Sequence, residues 1–391
     1  MNKNKKNCIT ILITGDFDSF HRKPMILSLA KFIYPNPIII INRPFNFIPN
    51  FFRKNKRIKK EKIIKIENIY ILNSSLFIHD KLALFLPNSI KKINFLLFKK
   101  DINILLEDLN INNNILYIMH PELQDYISVI NNNKVIYDCY DEFITNKALK
   151  GIKIREKDLI KKSDLIITSS RYLKEKKEKL YSINNIIFSS TAISKNDFQG
   201  NINIINKLNN KLLDSISNKL KINKPIVGFA GSIRDDINLE ILEFLIKNRP
   251  NYIFIFLGTI YNIEVFNKLN LFENAIFLGG KNFKEFISYL DLFHVSIMPH
   301  ILNDFILSSS PYKFYQYLAS SSYIVSSPIP EVVDFEKTEL GKKKVAVAYS
   351  KEEFLEKIDN FINKPKEYLT QDELNSISWE ARFENIKDFL Y

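Results

Sequence analysis

The sequence predicts an α/β protein made of two doubly wound domains. Two patterns lead to this fold class: short apolar runs rich in β-branched residues recur along the chain, and segments with helical periodicity separate them. Such alternation is typical of βα units and a parallel sheet. The third observation is length, because 391 residues are enough for two domains that each bury a core.

The predicted strands are short and almost wholly apolar, as expected for parallel strands that are buried on both faces. In the first half they are Ile9–Thr14, Pro37–Ile41, Ile115–Met119, Val135–Tyr137, Leu165–Thr168 and Ile186–Phe188. In the second half they are Ile226–Ala230, Tyr252–Leu257, Ala275–Leu278, Val295–Met298, Tyr323–Val325 and Val345–Ala348. A polar stretch over 201–224, rich in Asn and Lys, separates the two sets and is interpreted as a helix and linker. We therefore predict one domain over 1–205 and another over 225–370.

Glycine is scarce, which makes its placement informative. The chain has nine glycines, whereas average usage would give about 27. Five of them fall at or next to the ends of predicted strands in the second domain: Gly228, Gly231, Gly258, Gly279 and Gly280. Ligands bind at the carboxyl edge of open α/β sheets, where backbone N–H groups meet anions. We predict a phosphate-bearing ligand there; tight turns without a ligand remain the alternative.

Two elements of the second domain combine such an edge with a cation. The first is the Gly231-Ser232 turn with Arg234 beside it, although it matches neither the dinucleotide fingerprint nor a P-loop. The second is a serine run ahead of Pro311 and Lys313, which predicts a helix start whose positive end faces the ligand. A diphosphate fits both elements, while plain N-capping by the serines is the alternative. The serines are Ser308, Ser309 and Ser310.

The net charge of +13 is concentrated in one segment. Arg53–Lys65 carries eight basic residues against Glu61, and it follows Phe45, Phe47, Phe51 and Phe52. Aromatic and basic residues together favour contact with an anionic membrane surface, with a solvated loop as the alternative. A nucleic-acid partner is not expected, because no zinc-finger, helix-turn-helix or RNP-type pattern occurs.

Composition and hydropathy also bear on location. The two cysteines, Cys8 and Cys139, are too few for a disulfide framework, so a reducing compartment fits best. No uncharged apolar stretch reaches the roughly 18 residues that span a bilayer, and no signal-peptide pattern is seen. We expect a cytoplasmic protein that is peripheral to the inner face of the plasma membrane.

The order of motifs resembles the donor-binding half of GT-B glycosyltransferases of the family 4 type, in particular the teichuronic-acid and capsule branch. The matching segments are Gly231–Ile233, Leu239–Leu245, Tyr252–Gly258, Asn274–Gly279, Phe283–Leu290, Met298-Pro299, Pro311–Ala319 and Ser327–Glu331. Weaker matches are Lys23-Pro24, Tyr137–Glu142, Asp164–Ser170 and Ser378–Phe383. The resemblance covers nearly the whole chain.

The resemblance implies two Rossmann-like domains facing a cleft, with 371–391 forming a helix that crosses back to the first. It implies transfer of a sugar from a nucleotide diphosphate sugar to a lipid-linked or oligosaccharide acceptor, with retention and with no metal or other cofactor. Gly279 and Lys281 join the donor-binding set. Two glutamates usual in this family read Ser308 and Gln316 here, and Gln316 can still hydrogen-bond a ribose hydroxyl. A catalytically silent partner subunit and a nucleotide-sugar 2-epimerase are the alternatives.

Candidate catalytic residues lie at strand ends of the first domain. His120 follows the strand Ile115–Met119, and we predict that it contacts the transferred sugar or the acceptor hydroxyl. Asp141 lies just after the next strand and is predicted to orient or deprotonate the acceptor. His21 and Lys23 are placed on the acceptor side, in the loop after the first strand. The Asp16-Phe-Asp18 tripeptide is a weak candidate metal site.

Overall fold

The computed structural model describes residues 6–42, 45–46, 61–73, 75–76, 88–145, 151–198 and 224–391. The chain forms two compact units, each built on a mainly parallel sheet, which confirms the predicted α/β class. The first unit comprises Met1–Ser169, Lys174–Ser189 and Arg382–Tyr391. The second comprises Ser170–Leu173 and Ser190–Ala381.

The first unit is organised around an eight-stranded sheet. Its strands and those of a small two-stranded sheet are β1 (Lys6–Leu12), β2 (Ile38–Ile41), β3 (Phe45–Asn46), β4 (Ile63–Ile66), β5 (Ile69–Leu72), β6 (Ser75–Leu76), β7 (Ile111–Ile118), β8 (Lys134–Cys139), β9 (Leu165–Thr168) and β10 (Ile186–Phe188). The large sheet has the order β10-β9-β8-β7-β1-β2-β5-β4, and β3 pairs with β6. Every pair is parallel except β4 with β5. The helices are α1 (Lys23–Phe32), α2 (Asn88–Asp108), α3 (Ile152–Lys162) and α4 (Arg171–Tyr181).

The second unit has a six-stranded, fully parallel sheet in the order β13-β12-β11-β14-β15-β16. The strands are β11 (Ile226–Ala230), β12 (Ile253–Leu257), β13 (Ala275–Gly279), β14 (Val295–Met298), β15 (Tyr323–Ser326) and β16 (Val345–Val347). Its helices are α5 (Lys195–Phe198), α6 (Leu239–Asn248), α7 (Ile263–Leu269), α8 (Phe283–Leu290), α9 (Asp304–Ser308), α10 (Tyr312–Ala319), α11 (Pro330–Glu336), α12 (Glu339–Lys344), α13 (Lys351–Ile362) and α14 (Gln371–Ser376). The helix α15 (Trp379–Glu384) includes residues of both units, and α16 (Lys387–Leu390) belongs to the first unit.

Apolar strands produce a core on each face of the second sheet. Neighbouring residues of a strand point to opposite faces, so Phe229 and Ala230 of β11 belong to different clusters. Leu245 of α6 packs in the cluster of Phe229, whereas Phe314 of α10 packs in that of Ala230. Helices therefore cover both faces and leave the strand ends as the edge at which loops gather.

The structure departs from the expected strands next to the basic segment. Strands β4 and β5 were not predicted, and the end of Arg53–Lys65 is part of antiparallel β4 rather than a loop. Isoleucines alternate with charged residues around β4, which hides a strand that lies at the edge of the sheet. Residues 53–60 of the basic segment and 201–223 of the interpreted linker lie outside the described residues.

Candidate functional site

The strand order of the second sheet fixes where a ligand is expected. Numbered along the chain, the strands run third, second, first, fourth, fifth, sixth across the sheet, the order of dinucleotide-binding sheets. The order reverses between β11 and β14, and ligands of open α/β sheets bind at that point, outside the carboxyl ends. Gly231 follows β11 there, and Pro299 and His300 follow β14.

Two glycines shape the turn after β11. Gly231 has φ +155° and Gly258 has φ +150°, conformations that residues with a Cβ rarely adopt. The Gly231 N–H donates to the carbonyl of Leu257 over 2.7 Å. A Cβ on Gly258 would lie 2.1 Å from the Gly231 carbonyl oxygen, so the two turns pack backbone against backbone. Glycine at both positions therefore permits this close backbone packing at the edge of the sheet where a phosphate is expected to bind.

Lys313 reaches this turn from α10. Its Nζ would lie 2.9 Å from a Cβ on Gly231, and it lies 4.6 Å from the ring centroid of Phe229. Burial lowers the pKa of Lys313 to about 8; the charge of Asp236 opposes this shift and Arg234 adds to it. The ammonium group is thus held against the Gly231 backbone at the reversal of strand order, where a bound anion would favour its charged form.

His300 contacts Lys313 through one ring nitrogen and the loop after β11 through the other. Its Nδ1 lies 3.3 Å from the carbonyl oxygen of Asp236, and its Nε2 lies 3.3 Å from Lys313 Nζ. A carbonyl oxygen only accepts, so Nδ1 carries the proton and Nε2 accepts from the ammonium. Burial and the Lys313 charge hold the pKa of His300 well below its usual range, which keeps the ring neutral.

The other predicted donor-binding residues lie around this point with different exposure. Arg234 is exposed, and its guanidinium carbon lies 5.3 Å from the ring centroid of Tyr261. Gln316 is buried in α10, one turn after Lys313, and its amide makes no hydrogen bond to another described residue. Ser232 is half-buried, Gly279 ends β13, and Lys281 is exposed beyond it.

The alternative interpretation, in which the serines serve only as N-caps of α10, is wrong. Pro311 occupies the N-cap position, and no side chain caps the helix. Ser309 Oγ donates to the carbonyl of Ile306 over 2.8 Å, and Ser310 Oγ accepts from the N–H of Thr191 over 3.1 Å. Ser308 ends α9, and its buried Oγ has no partner among the described residues. The backbone is extended at Ser309 and Pro311, and none of the three hydroxyls caps the helix start.

In the first sheet, the strand order reverses between β1 and β7, and His120 follows β7. Its Nδ1 accepts from the N–H of Glu122 over 3.2 Å, which caps the 3₁₀ helix Pro121–Ser128. The ring centroid lies 4.5 Å from that of Phe143. The position agrees with the predicted strand edge, while one ring nitrogen serves the local backbone.

The carboxylates after β8 have distinct surroundings. Asp141 is half-buried, and burial raises its pKa to about 6 against the opposing charge of Arg22. Asp138 is buried, 3.2 Å from an Arg22 nitrogen, and accepts from the Tyr117 hydroxyl over 2.9 Å. Arg22 was not predicted as a site residue, although it lies between His21 and Lys23, because its partner is 116 residues away.

A buried ion cluster anchors the turn that carries Asp141. Lys177 Nζ lies 2.8 Å from a carboxylate oxygen of Glu142 and 2.8 Å from one of Glu156. Burial alone would raise the pKa of Glu142, but the charges of Lys177 and Lys176 hold it below its ordinary value. Asp141 directly precedes Glu142, so this cluster restrains the backbone beside the candidate base. This cluster could not be predicted from the sequence, since its three charges come from separate elements.

The residues predicted on the acceptor side lie just before α1. His21 is exposed, with its ring centroid 5.3 Å from that of Tyr140. Lys23 begins α1, and its Nζ lies 3.1 Å from Asp18 Oδ1. Asp16 caps the short helix Phe17–Ser19 by accepting from the Asp18 N–H.

Neither a metal-binding cluster nor a membrane-spanning helix occurs among the described residues. Across these ranges, no group of three or more His, Cys, Asp or Glu side chains is arranged to hold a metal ion. None of the helices in the same ranges combines the length and the apolar character that crossing a bilayer requires.

Comparison with known proteins decides the fold. Solved structures align with the chain over nearly its full length. Sucrose-phosphate synthase from Thermosynechococcus elongatus has a TM-score of 0.66, 10% identity and coverage of 98% of both chains. A glycosyltransferase from Rickettsia africae has a TM-score of 0.62 at 14% identity, covering 99% of this chain and 98% of its own. The fold is GT-B.

A third GT-B structure, HepE of Anabaena in complex with UDP and glucose, has a TM-score of 0.63 at 11% identity and covers 98% of this chain and 99% of its own. Neither a protein-family model nor a curated protein matches the sequence. At these identities the comparison establishes the shared fold, and the site must be argued from this chain's own residues.

Proposed function

We propose that this chain is a glycosyltransferase that uses a nucleotide diphosphate sugar. The observation that carries the proposal is the contact of Lys313 with the Gly231 turn, at the reversal of strand order in the second sheet. A half-buried ammonium and the start of α10 suit the charge of a diphosphate. The resemblance to the family 4 type supports the same assignment.

The donor site favours departure of the nucleoside diphosphate. In the transfer, the bond between the sugar C1 and the diphosphate oxygen breaks, and a bond from C1 to the acceptor oxygen forms. Lys313 and Arg234 would stabilise the negative charge that develops on the leaving group. Gln316, one turn beyond Lys313, is proposed to hydrogen-bond the donor ribose.

The acceptor loses a proton in this reaction, and we assign its removal to Asp141. A pKa raised to about 6 keeps this carboxylate mostly ionised at neutral pH and makes it a better proton acceptor than an ordinary aspartate. His120 is proposed to contact the transferred sugar or the acceptor hydroxyl. His21 and Lys23 are proposed to bind the acceptor, which we take to be a lipid-linked or oligosaccharide glycan made at a membrane surface.

Binding of nucleoside diphosphates tests the donor site directly. We expect UDP, ADP or GDP to bind in titration calorimetry, and Lys313→Ala and Arg234→Ala each to weaken binding by roughly 1.5–3 kcal/mol, the size of a charge-assisted hydrogen bond. Lys268→Ala is the matched control, because Lys268 is an exposed lysine of the same unit paired with Glu264. Normal nucleotide affinity in both site variants would refute the assignment.

Turnover separates an enzyme from a silent subunit of the same fold. An active transferase releases nucleoside diphosphate from its donor, slowly to water and faster to an acceptor, whereas a silent subunit binds without release. We propose that transfer retains the anomeric configuration and needs no metal. Activity should therefore survive chelation with EDTA; complete loss, restored by manganese or magnesium, would point instead to Asp16 and Asp18.

A further inference from the structure

We infer that His300 is a positioning residue that links the two anion-binding elements of the donor site. The inference rests on the proposed function and concerns a residue that the donor would not need to touch. His300 lies at the carboxyl end of β14, directly beside the reversal of strand order, and is 5% exposed. Its two ring nitrogens have different partners, one on each element.

The first partner belongs to the loop that follows β11 and carries Arg234. The Asp236 carbonyl accepts from His300 Nδ1 over 3.3 Å and from the Ile301 N–H over 2.8 Å. The Asn238 N–H donates to the carbonyl of Pro299 over 2.8 Å, and Ile237 forms a β-bridge with His300. These backbone contacts hold the His300 ring in place, and the Asp236 carbonyl oxygen sets its tautomer.

The second partner is Lys313. With Nδ1 protonated, the Nε2 lone pair points to the ammonium and accepts one of its three protons. Lysine has a flexible four-carbon stem, so an acceptor on one side restricts where the remaining protons point. The Phe229 ring, 4.6 Å from Nζ, and the Gly231 backbone confine it from other sides. The ammonium is thereby held for a phosphate oxygen before the donor arrives.

A double-mutant cycle on nucleotide binding tests this role. His300→Phe keeps an aromatic ring but removes the acceptor, and we expect it to weaken UDP binding about five- to tenfold while leaving uridine, which has no phosphate, unaffected. In a Lys313→Ala background the same change should alter UDP affinity less than twofold, because His300 acts through Lys313. His300→Gln restores an acceptor and should keep UDP affinity within about threefold of the wild type.

The control is His294→Phe, the same substitution at the residue directly before β14. His294 accepts from the Ile226 N–H over 3.1 Å, so this variant should unfold at lower temperature yet bind UDP normally. UDP binding by His300→Phe equal to that of the wild type would overturn the inference alone. So would an equal loss in the Lys313→Ala background, or an equal loss of uridine binding. A wild-type chain that binds no nucleoside diphosphate would overturn the proposed function and this inference together.

Discussion

The pH dependence of donor binding is the sharpest consequence of the Lys313 environment. Its pKa is lowered to about 8, so the side chain carries its charge below pH 8 and loses it above. A phosphate monoester is already dianionic above pH 7, because its second pKa is near 6. Neutral His300 does not change charge in this range. Nucleotide affinity should therefore fall as pH rises from 7 to 9.5.

The magnitude follows from the fraction of charged lysine. About nine-tenths of Lys313 is protonated one unit below its pKa and about one-tenth one unit above, so affinity should drop about ninefold between pH 7 and pH 9 and continue to fall above that. The fall ends at the affinity of a variant without the ammonium. Since that group is worth roughly 1.5–3 kcal/mol, the full range is about one to two orders of magnitude.

Titration calorimetry with UDP at half-unit steps of pH measures this curve. Lys313→Met should bind weakly and with little dependence on pH, which separates Lys313 from every other titrating group. Lys268→Ala should reproduce the wild-type curve, since Lys268 is exposed and pairs with Glu264 rather than with a residue of the site. An affinity that stays constant from pH 7 to 9.5 in the wild type would refute the reasoning.

Three further outcomes are expected. Gly258→Ala should lower both the melting temperature and UDP affinity, because its Cβ would lie 2.1 Å from the Gly231 carbonyl oxygen; an unchanged thermal scan and titration would contradict this. Asp141→Asn should abolish transfer and spare UDP binding, and wild-type activity should fall as pH drops through about 6, where the carboxylate becomes protonated, as a pH–rate profile would show. Finally, replacing four basic residues by Gln should abolish sedimentation with anionic liposomes while turnover on a soluble acceptor is kept, since each contributes about 1 kcal/mol near an anionic surface; equal binding to neutral vesicles would count against it. These four are Lys56, Arg57, Lys59 and Lys60.

Local sequence signals were sufficient for much of the fold. Strands β11 and β14 match their predicted bounds, because continuous apolar runs mark parallel strands buried on both faces. The helical spacing of Leu239, Leu242 and Leu245 in the sequence belongs to α6, with Asn238 as its cap. Strand β4 was missed because one side of an edge strand faces water, so charged residues interrupt the apolar run.

The site divides in the same way between local and long-range information. Glycines at strand ends and a lysine in a helix start can be recognised from neighbouring residues, so both Gly231 and Lys313 were named from the sequence. The structure places Lys313 Nζ 2.9 Å from the position of a Cβ on Gly231. Contacts between residues far apart in the chain could not be predicted in this way. Arg22 pairs with Asp138 across 116 residues, and Lys177 meets Glu142 across 35. Such pairs exist only after the sheet has brought separate loops to one edge.

The same physics explains why the second unit concentrates its unusual chemistry at one point. A fully parallel sheet buries its strands, so polar groups gather where the strands end and the backbone needs partners. At the reversal of strand order, the helices that follow β11 and β14 pack on opposite faces of the sheet, and the loop after β11 contacts His300 at the strand ends. Lys313 reaches this point from α10. Its desolvation lowers its pKa, and it is also the reason that binding a phosphate is expected to stabilise the charged side chain.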